Sequence, residues 1–179
     1  MSHRVILRNL AATALTVGAV GVLGWSPAGA PSRIAGTVTA RYAEQHPLPV
    51  LDAAGHALVL GRARGINRST GPTAYMDKGD VTNVEFGDLT QGNGPQQGYI
   101  SMSQGADTMI SKWSGKVTTT LSPDKTPITT FAGTWAKVKG TGRYADANGK
   151  GAYKGHFTSQ TEYTIEWTGE ISGERLAER

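Results

Sequence analysis

The stretch VKGTGRYADANGKGAY, residues 138–153, has the spacing that comes nearest to a chemical motif. Gly140-Thr141-Gly142-Arg143-Tyr144-Ala145 fits the dinucleotide fingerprint G-x-G-x-x-G/A, and Gly149-Lys150 is half of a phosphate-loop ending. Both motifs hold phosphate on backbone N–H groups at the start of a helix. The elements around this stretch cannot supply that helix. Six residues separate Gly142 from Gly149, and the next apolar run is strand-like. A strand–helix–strand unit of ~30 residues has no room here. Glu162 lies 20 residues after Gly142, where a ribose-binding acid is sought, but it sits on the polar face of a strand. Gly151 stands where a phosphate loop places its magnesium-binding Ser or Thr. The glycines therefore read as a tight connection, with Tyr144 tucked beneath it as a plug.

Other chemistry is sparse. The histidines are His3, His46, His56 and His156, no two of them with metal-ligand spacing, and cysteine is absent. Ser101 and Ser103 lack the G-x-S-x-G elbow of a nucleophilic serine. Arg62 and Arg64 share one strand face and read as solvated. Asn67-Arg68-Ser69 fits a glycosylation sequon, which chance explains best. Glu85, inside VTNVEFG, is the acid of most interest. Val81, Asn83 and Glu85 alternate against Val84 and Phe86. An inward Glu85 in an apolar interior would have a raised pKa and could act as an acid or base. The expected arrangement is the opposite one, with Val84 and Phe86 inside, because burying an unpaired carboxylate is costly.

The elements that would position these residues can be read from composition. The chain has 179 residues, enough for one domain with a core. It holds 24 glycines and 18% charged residues, which excludes a polyelectrolyte or disordered chain. Arg4 and Arg8 precede a run without charge from Leu10 to Trp25, followed by small residues in SPAGA. This is the pattern of a secretory signal over residues 1–30 and implies export, periplasmic or extracellular. Cleavage after Ala30 would place Pro31 beside the scissile bond, so sites in SPA or APS are open alternatives. Loss of Arg4 and Arg8 takes the net charge from +4 to about +2. With basic residues scattered, nucleic acid is not an expected partner. Stable membrane insertion is not expected once the signal is removed. Without disulfides, an exported chain must hold together by burial and hydrogen bonding.

Residues 31–54 carry Pro47 and Pro49 and read as an N-terminal arm or linker. Residues 55–171 form the domain, and 172–179 a polar tail. Strands are expected near 57–68, 80–88, 97–104, 107–120, 127–139, 150–159 and 161–171, rich in Thr, Val, Ile and aromatics. In the last, Tyr163, Ile165, Trp167, Gly169 and Ile171 share one face, and Glu162, Thr164, Glu166, Thr168 and Glu170 the other. Phe131-x-Gly133-x-Trp135, Trp113-x-Gly115, Tyr153-x-Gly155 and Trp167-x-Gly169 each put a glycine two residues from an aromatic, on the same face. Such a glycine lets the strand coil and leaves room for a neighbour's ring. Antiparallel strands with short turns and no intervening helices predict an all-β closed barrel. Trp113, Trp135 and Trp167 should face inward, with Lys112, Ala136 and Glu166 outward. Lys137 shares the nominal face of Trp135, so that strand must bulge or end there.

LVLGRARGINRS (58–69), KGTGRYADANGKGAY (139–153) and TEYTIEW (161–167), in this order, resemble the dirigent proteins and allene oxide cyclases, a shared barrel superfamily. Gly61-Arg62-Ala63-x-Gly65 and Gly140-Thr141-Gly142-x-Tyr144 carry the resemblance, which spans roughly residues 56–171. It implies an eight-stranded antiparallel barrel with a central cavity, no metal or organic cofactor, and association as dimers or trimers. Members guide cyclisation or radical coupling of apolar small molecules. Their functional acids and tyrosines match no motif here, so none is carried over. Two functions follow as expectations. One is an exported barrel that binds an apolar small molecule, lined by Tyr99, Trp113, Trp135, Tyr163 and Trp167. The other is a cofactor-free cyclase or isomerase that folds its substrate inside the barrel. A third, an interaction protein using its outer surface, has less behind it.

Overall fold

A computed structural model of the chain describes residues 30–173. The signal and the last residues of the polar tail lie outside them. Eight strands run β1 (Ser32–Pro49), β2 (His56–Ser69), β3 (Asp80–Thr90), β4 (Gly94–Gln104), β5 (Asp107–Leu121), β6 (Pro127–Thr141), β7 (Asn148–Phe157) and β8 (Glu162–Ser172). Each pairs antiparallel with the next, and β8 returns to β1, so the sheet closes into a barrel. The fold is all-β, and the only helical element among the described residues is one 3-10 turn, Gly142–Tyr144.

The expected arm over 31–54 is corrected. Residues 32–49 are β1, the strand that closes the barrel against both β2 and β8. Ile34, Gly36, Val38 and Ala40 turn inward in strict alternation. The prolines that suggested an arm lie at the far end, past a bulge at Ala43 where the register slips between Tyr42 and Glu44. There β1 has run past its pairing with β8 and forms a free edge against β2, which is paired with β3 on its other side, and such an edge tolerates proline. A second bulge resolves Lys137. Ile110 pairs with Lys139 and Ser111 with Lys137, leaving Val138 as the extra residue of β6. The Lys137 ammonium then donates to the Ala145 carbonyl at 3.1 Å.

Closing eight strands forces the inward side chains to share a narrow interior. Large rings solve this by lying across glycines of neighbouring strands. Trp113 covers Gly98, Trp167 covers Gly36, Phe131 covers Gly155, and Trp135 covers Gly151 of β7 and reaches on to Gly169 of β8. A Cβ at Gly36 would stand 2.5 Å from the Trp167 ring, and one at Gly98 2.8 Å from Trp113. The aromatic-x-glycine spacing thus alternates ring and gap along each strand, and the gap receives the next strand's ring. Trp113 and Trp167 are buried, and Lys112, Ala136 and Glu166 are exposed, as the alternation predicts.

One end of the barrel is plugged. The loop after β2 and the turn after β6 fold over it and bury Tyr75, Met76, Tyr144 and Ala147. Tyr75 packs edge-on against Tyr144 at 5.2 Å and Trp167 at 5.6 Å between ring centroids. The glycine-rich stretch that mimicked a nucleotide motif is this plug's hinge. Gly142 has φ +57, and its amide side faces Asp107, whose carboxylate accepts from Arg143 N at 2.9 Å. A side chain at 142 would suffer both the left-handed backbone and a clash with Asp107. Gly142→Val should therefore lower stability by about 1–3 kcal/mol in urea unfolding. Gly105 has φ +62 but open space around its Cβ position, so Gly105→Asn should cost much less. NAD and ATP should bind neither the wild type nor Gly142→Val.

Candidate functional site

The barrel encloses a cavity of about 70 Å³, several times the space one water needs. Its walls come from β1 and β3 to β8, with Tyr75 of the plug at one end. Half of the residues that line it are aromatic. Tyr42, Phe131, Phe157 and Tyr163 form one set of touching rings, with centroid separations of 5.4–6.2 Å. Trp113 joins through Tyr153, 5.7 Å away and nearly perpendicular. Of the residues expected to line the interior, Trp113, Trp135, Tyr163 and Trp167 do so.

Tyr99 does not. It lies on the outer face and is 50% exposed, paired with outward Val84 and Lys112. Its neighbour Gly98 takes the inner position, beneath Trp113. A glycine adjacent to an aromatic, rather than two residues away, puts the ring on the opposite face.

The larger correction concerns Glu85. Val84 is 46% exposed and Glu85 points inward, the reverse of the expected arrangement. The carboxylate is tolerated because the interior supplies donors. Tyr42 Oη donates to Glu85 Oε1. Asn83, on the same face of β3, donates from Nδ2 to Glu85 Oε2 at 2.6 Å and to Tyr163 Oη at 3.2 Å. Asn83 Oδ1 accepts the Trp113 indole N–H at 2.8 Å. An indole N–H can only donate, so it sets the amide's orientation and commits Nδ2 to Glu85. Burial pushes the Glu85 carboxyl above the usual range, and the Tyr42 and Asn83 hydrogen bonds pull it back only in part. The hydroxyls of Tyr42, Tyr153 and Tyr163 are raised too, by burial first and then by the Glu85 charge in the case of Tyr42 and Tyr163. All three stay neutral.

A second asparagine does similar work near the plug. Asn67 is wholly buried; its Oδ1 accepts from the Trp167 indole at 2.9 Å, and its Nδ2 donates to the carbonyls of Tyr75 and Met76. The sequon is therefore closed to any enzyme acting on the folded chain. Tyr153 is the exception in this satisfied interior. Its buried hydroxyl lies over Gly115 and Gly133 and completes no hydrogen bond, although Gln96 lies beside it. Sequence reasoning passed over Tyr42, Asn83 and Tyr153. The signal for Asn83 was present, since Val81, Asn83, Glu85 and Gly87 continue one inward parity.

The remaining expectations fall outside the cavity. His56 starts β2 and is flanked by Asp52 and, at 2.7 Å, Asp88. His156, Arg62 and Arg64 lie on the outer surface. Among the described residues no group of three or more His, Cys, Asp or Glu could hold a metal.

No protein-family model matches the chain, and no curated protein matches it. Solved structures of two pterocarpan synthase dirigent proteins are similar to it. PsPTS1 is 11% identical, with a TM-score of 0.44, over 83% of this chain and 99% of the other. GePTS1 is 12% identical, with a TM-score of 0.45, over 82% and 92%. The architecture described above stands on this chain's own strand pairing.

A buried acid with a raised pKa binds more protons folded than unfolded, so its contribution to stability grows as pH falls toward the ordinary carboxylate range. His56, raised by Asp88 and Asp52, adds a slope of the same sign higher up, complete below the usual imidazole range and lost above it. Glu85→Gln should flatten the acid-side dependence of the urea midpoint and leave the His56 slope in place. Tyr153→Phe should unfold at the same or a higher urea concentration than wild type, because the buried hydroxyl it removes completes no hydrogen bond.

Proposed function

We propose that this chain is an exported barrel that binds an apolar small molecule in its central cavity. The observation that carries this reading is the cavity itself. Small barrels are often filled by their own side chains, yet this one keeps space among its rings, and Tyr153 presents an unsatisfied hydroxyl there. A buried hydroxyl without a partner costs about 1–3 kcal/mol, and a bound molecule with a hydrogen-bonding group would recover it. Export follows from the N-terminal pattern of Arg4, Arg8 and the apolar run to Trp25.

A second reading is a cofactor-free cyclase or isomerase. The inward Glu85 favours it: a carboxyl held above its usual range in an apolar site is suited to giving or taking a proton. The walls would hold a flexible substrate in one shape while Glu85 moves the proton.

Native mass spectrometry of the protein from its own host should reveal a co-purified small molecule. Titration with apolar probes should quench or shift the fluorescence of Trp113, Trp135 and Trp167. Tyr153→Phe should weaken that binding while keeping stability, whereas a residue that merely fills space would show no ligand to weaken. Indoles freely quenched by acrylamide, or a spectrum unmoved by every apolar probe, would move the function to the outer surface.

A further inference from the structure

Glu85 is a half-buried acid on the cavity wall for which the chain provides no counter-charge. No lysine, arginine or histidine lines the cavity, and none of the ion pairs among the described residues includes Glu85. Buried charges are ordinarily paired. Here the partners are the Tyr42 hydroxyl and the Asn83 amide, both donating. The Asn83 donor is locked by Trp113 on its other side, so Glu85 Oε2 is held as an acceptor. That arrangement holds the ionised carboxylate in place without neutralising it.

The surroundings suit a cation of one kind. Tyr42 and Tyr163 stand 5.4 Å apart, and Phe131 and Phe157 each lie within 5.8 Å of Tyr163, centroid to centroid. Ring faces attract an ammonium group, most strongly where water is excluded. Tyr153, 9% exposed, adds a hydroxyl that completes no hydrogen bond, with the Gln96 side chain beside it. A bare metal ion is a poor match, since hard cations require six or more oxygen ligands. We propose that the cavity takes an organic cation: an ammonium group set against Glu85, on an apolar, ring-sized body held among the aromatic walls. This rests on the reading that the cavity binds a small molecule and names the chemistry of that molecule.

A proton and an ammonium compete for the same carboxylate. The other titratable groups facing Glu85 are the hydroxyls of Tyr42, Tyr153 and Tyr163, all of which stay neutral. The cation should therefore bind better as Glu85 ionises.

Benzylamine and benzyl alcohol have the same ring and differ in the group they would offer Glu85. Calorimetric titration of both into the mature protein should show the amine binding at least about tenfold more tightly. That preference should grow from mildly acidic to mildly alkaline pH. In Glu85→Gln the amine should lose its advantage while the alcohol binds as before. The two-probe comparison on wild type at two pH values decides the matter even if the variant fails to fold. Equal or tighter binding of the alcohol would overturn the cation and leave the cavity reading standing. Binding of neither probe, nor of any apolar compound in the fluorescence titration, would overturn both.

Discussion

Everything inside this barrel depends on one steric exchange: a large ring on one strand occupies the space of a Cβ missing from the next. Closure fixes the interior volume, and eight strands of alternating inward residues would overfill it if every position carried a side chain. Glycines at Gly36, Gly98, Gly155 and Gly169 remove the obstruction where Trp167, Trp113, Phe131 and Trp135 must lie flat. The rings can then be large without pushing the strands apart. The cavity lies among these rings, with Tyr153 and the acid of β3 on its wall.

This exchange was legible in the sequence because it has a period. The spacing of Trp113-x-Gly115 and Trp167-x-Gly169 assigns faces without knowledge of the partner strand, and β8 alternates cleanly from Tyr163 to Ile171. Lys137 also announced itself, as a charge on an apolar face that a bulge had to accommodate. β1 was not legible. Its inward residues Gly36, Val38 and Ala40 are small, so the alternation is muted, and Pro47 and Pro49 mark an extension beyond the barrel wall.

The acid's place depends on β1 as well. An arm at 31–54 leaves Tyr42 out of the interior and removes one of the two donors that an inward Glu85 needs. The cost of an unpaired carboxylate then argued for the outer face. Asn83 completes the arrangement through a contact no spacing rule contains, since Trp113 is 30 residues away on β5. Such long-range hydrogen bonds are where a fold specifies more than its periodicity reveals.

Asn67 has a consequence for how the protein can be made. Its amide ties the Trp167 indole to the backbone of the plug, and its side chain is sealed from solvent. A host that attaches sugars to Asn-Arg-Ser while the chain is still emerging would reach this residue before it is covered. The added glycan has no room between Trp167 and the plug, so the modified chain could not finish closing that end of the barrel. Bacterial production avoids the encounter. In a eukaryotic secretory host, the yield of folded protein becomes a race between sugar transfer and the docking of β2 against β1.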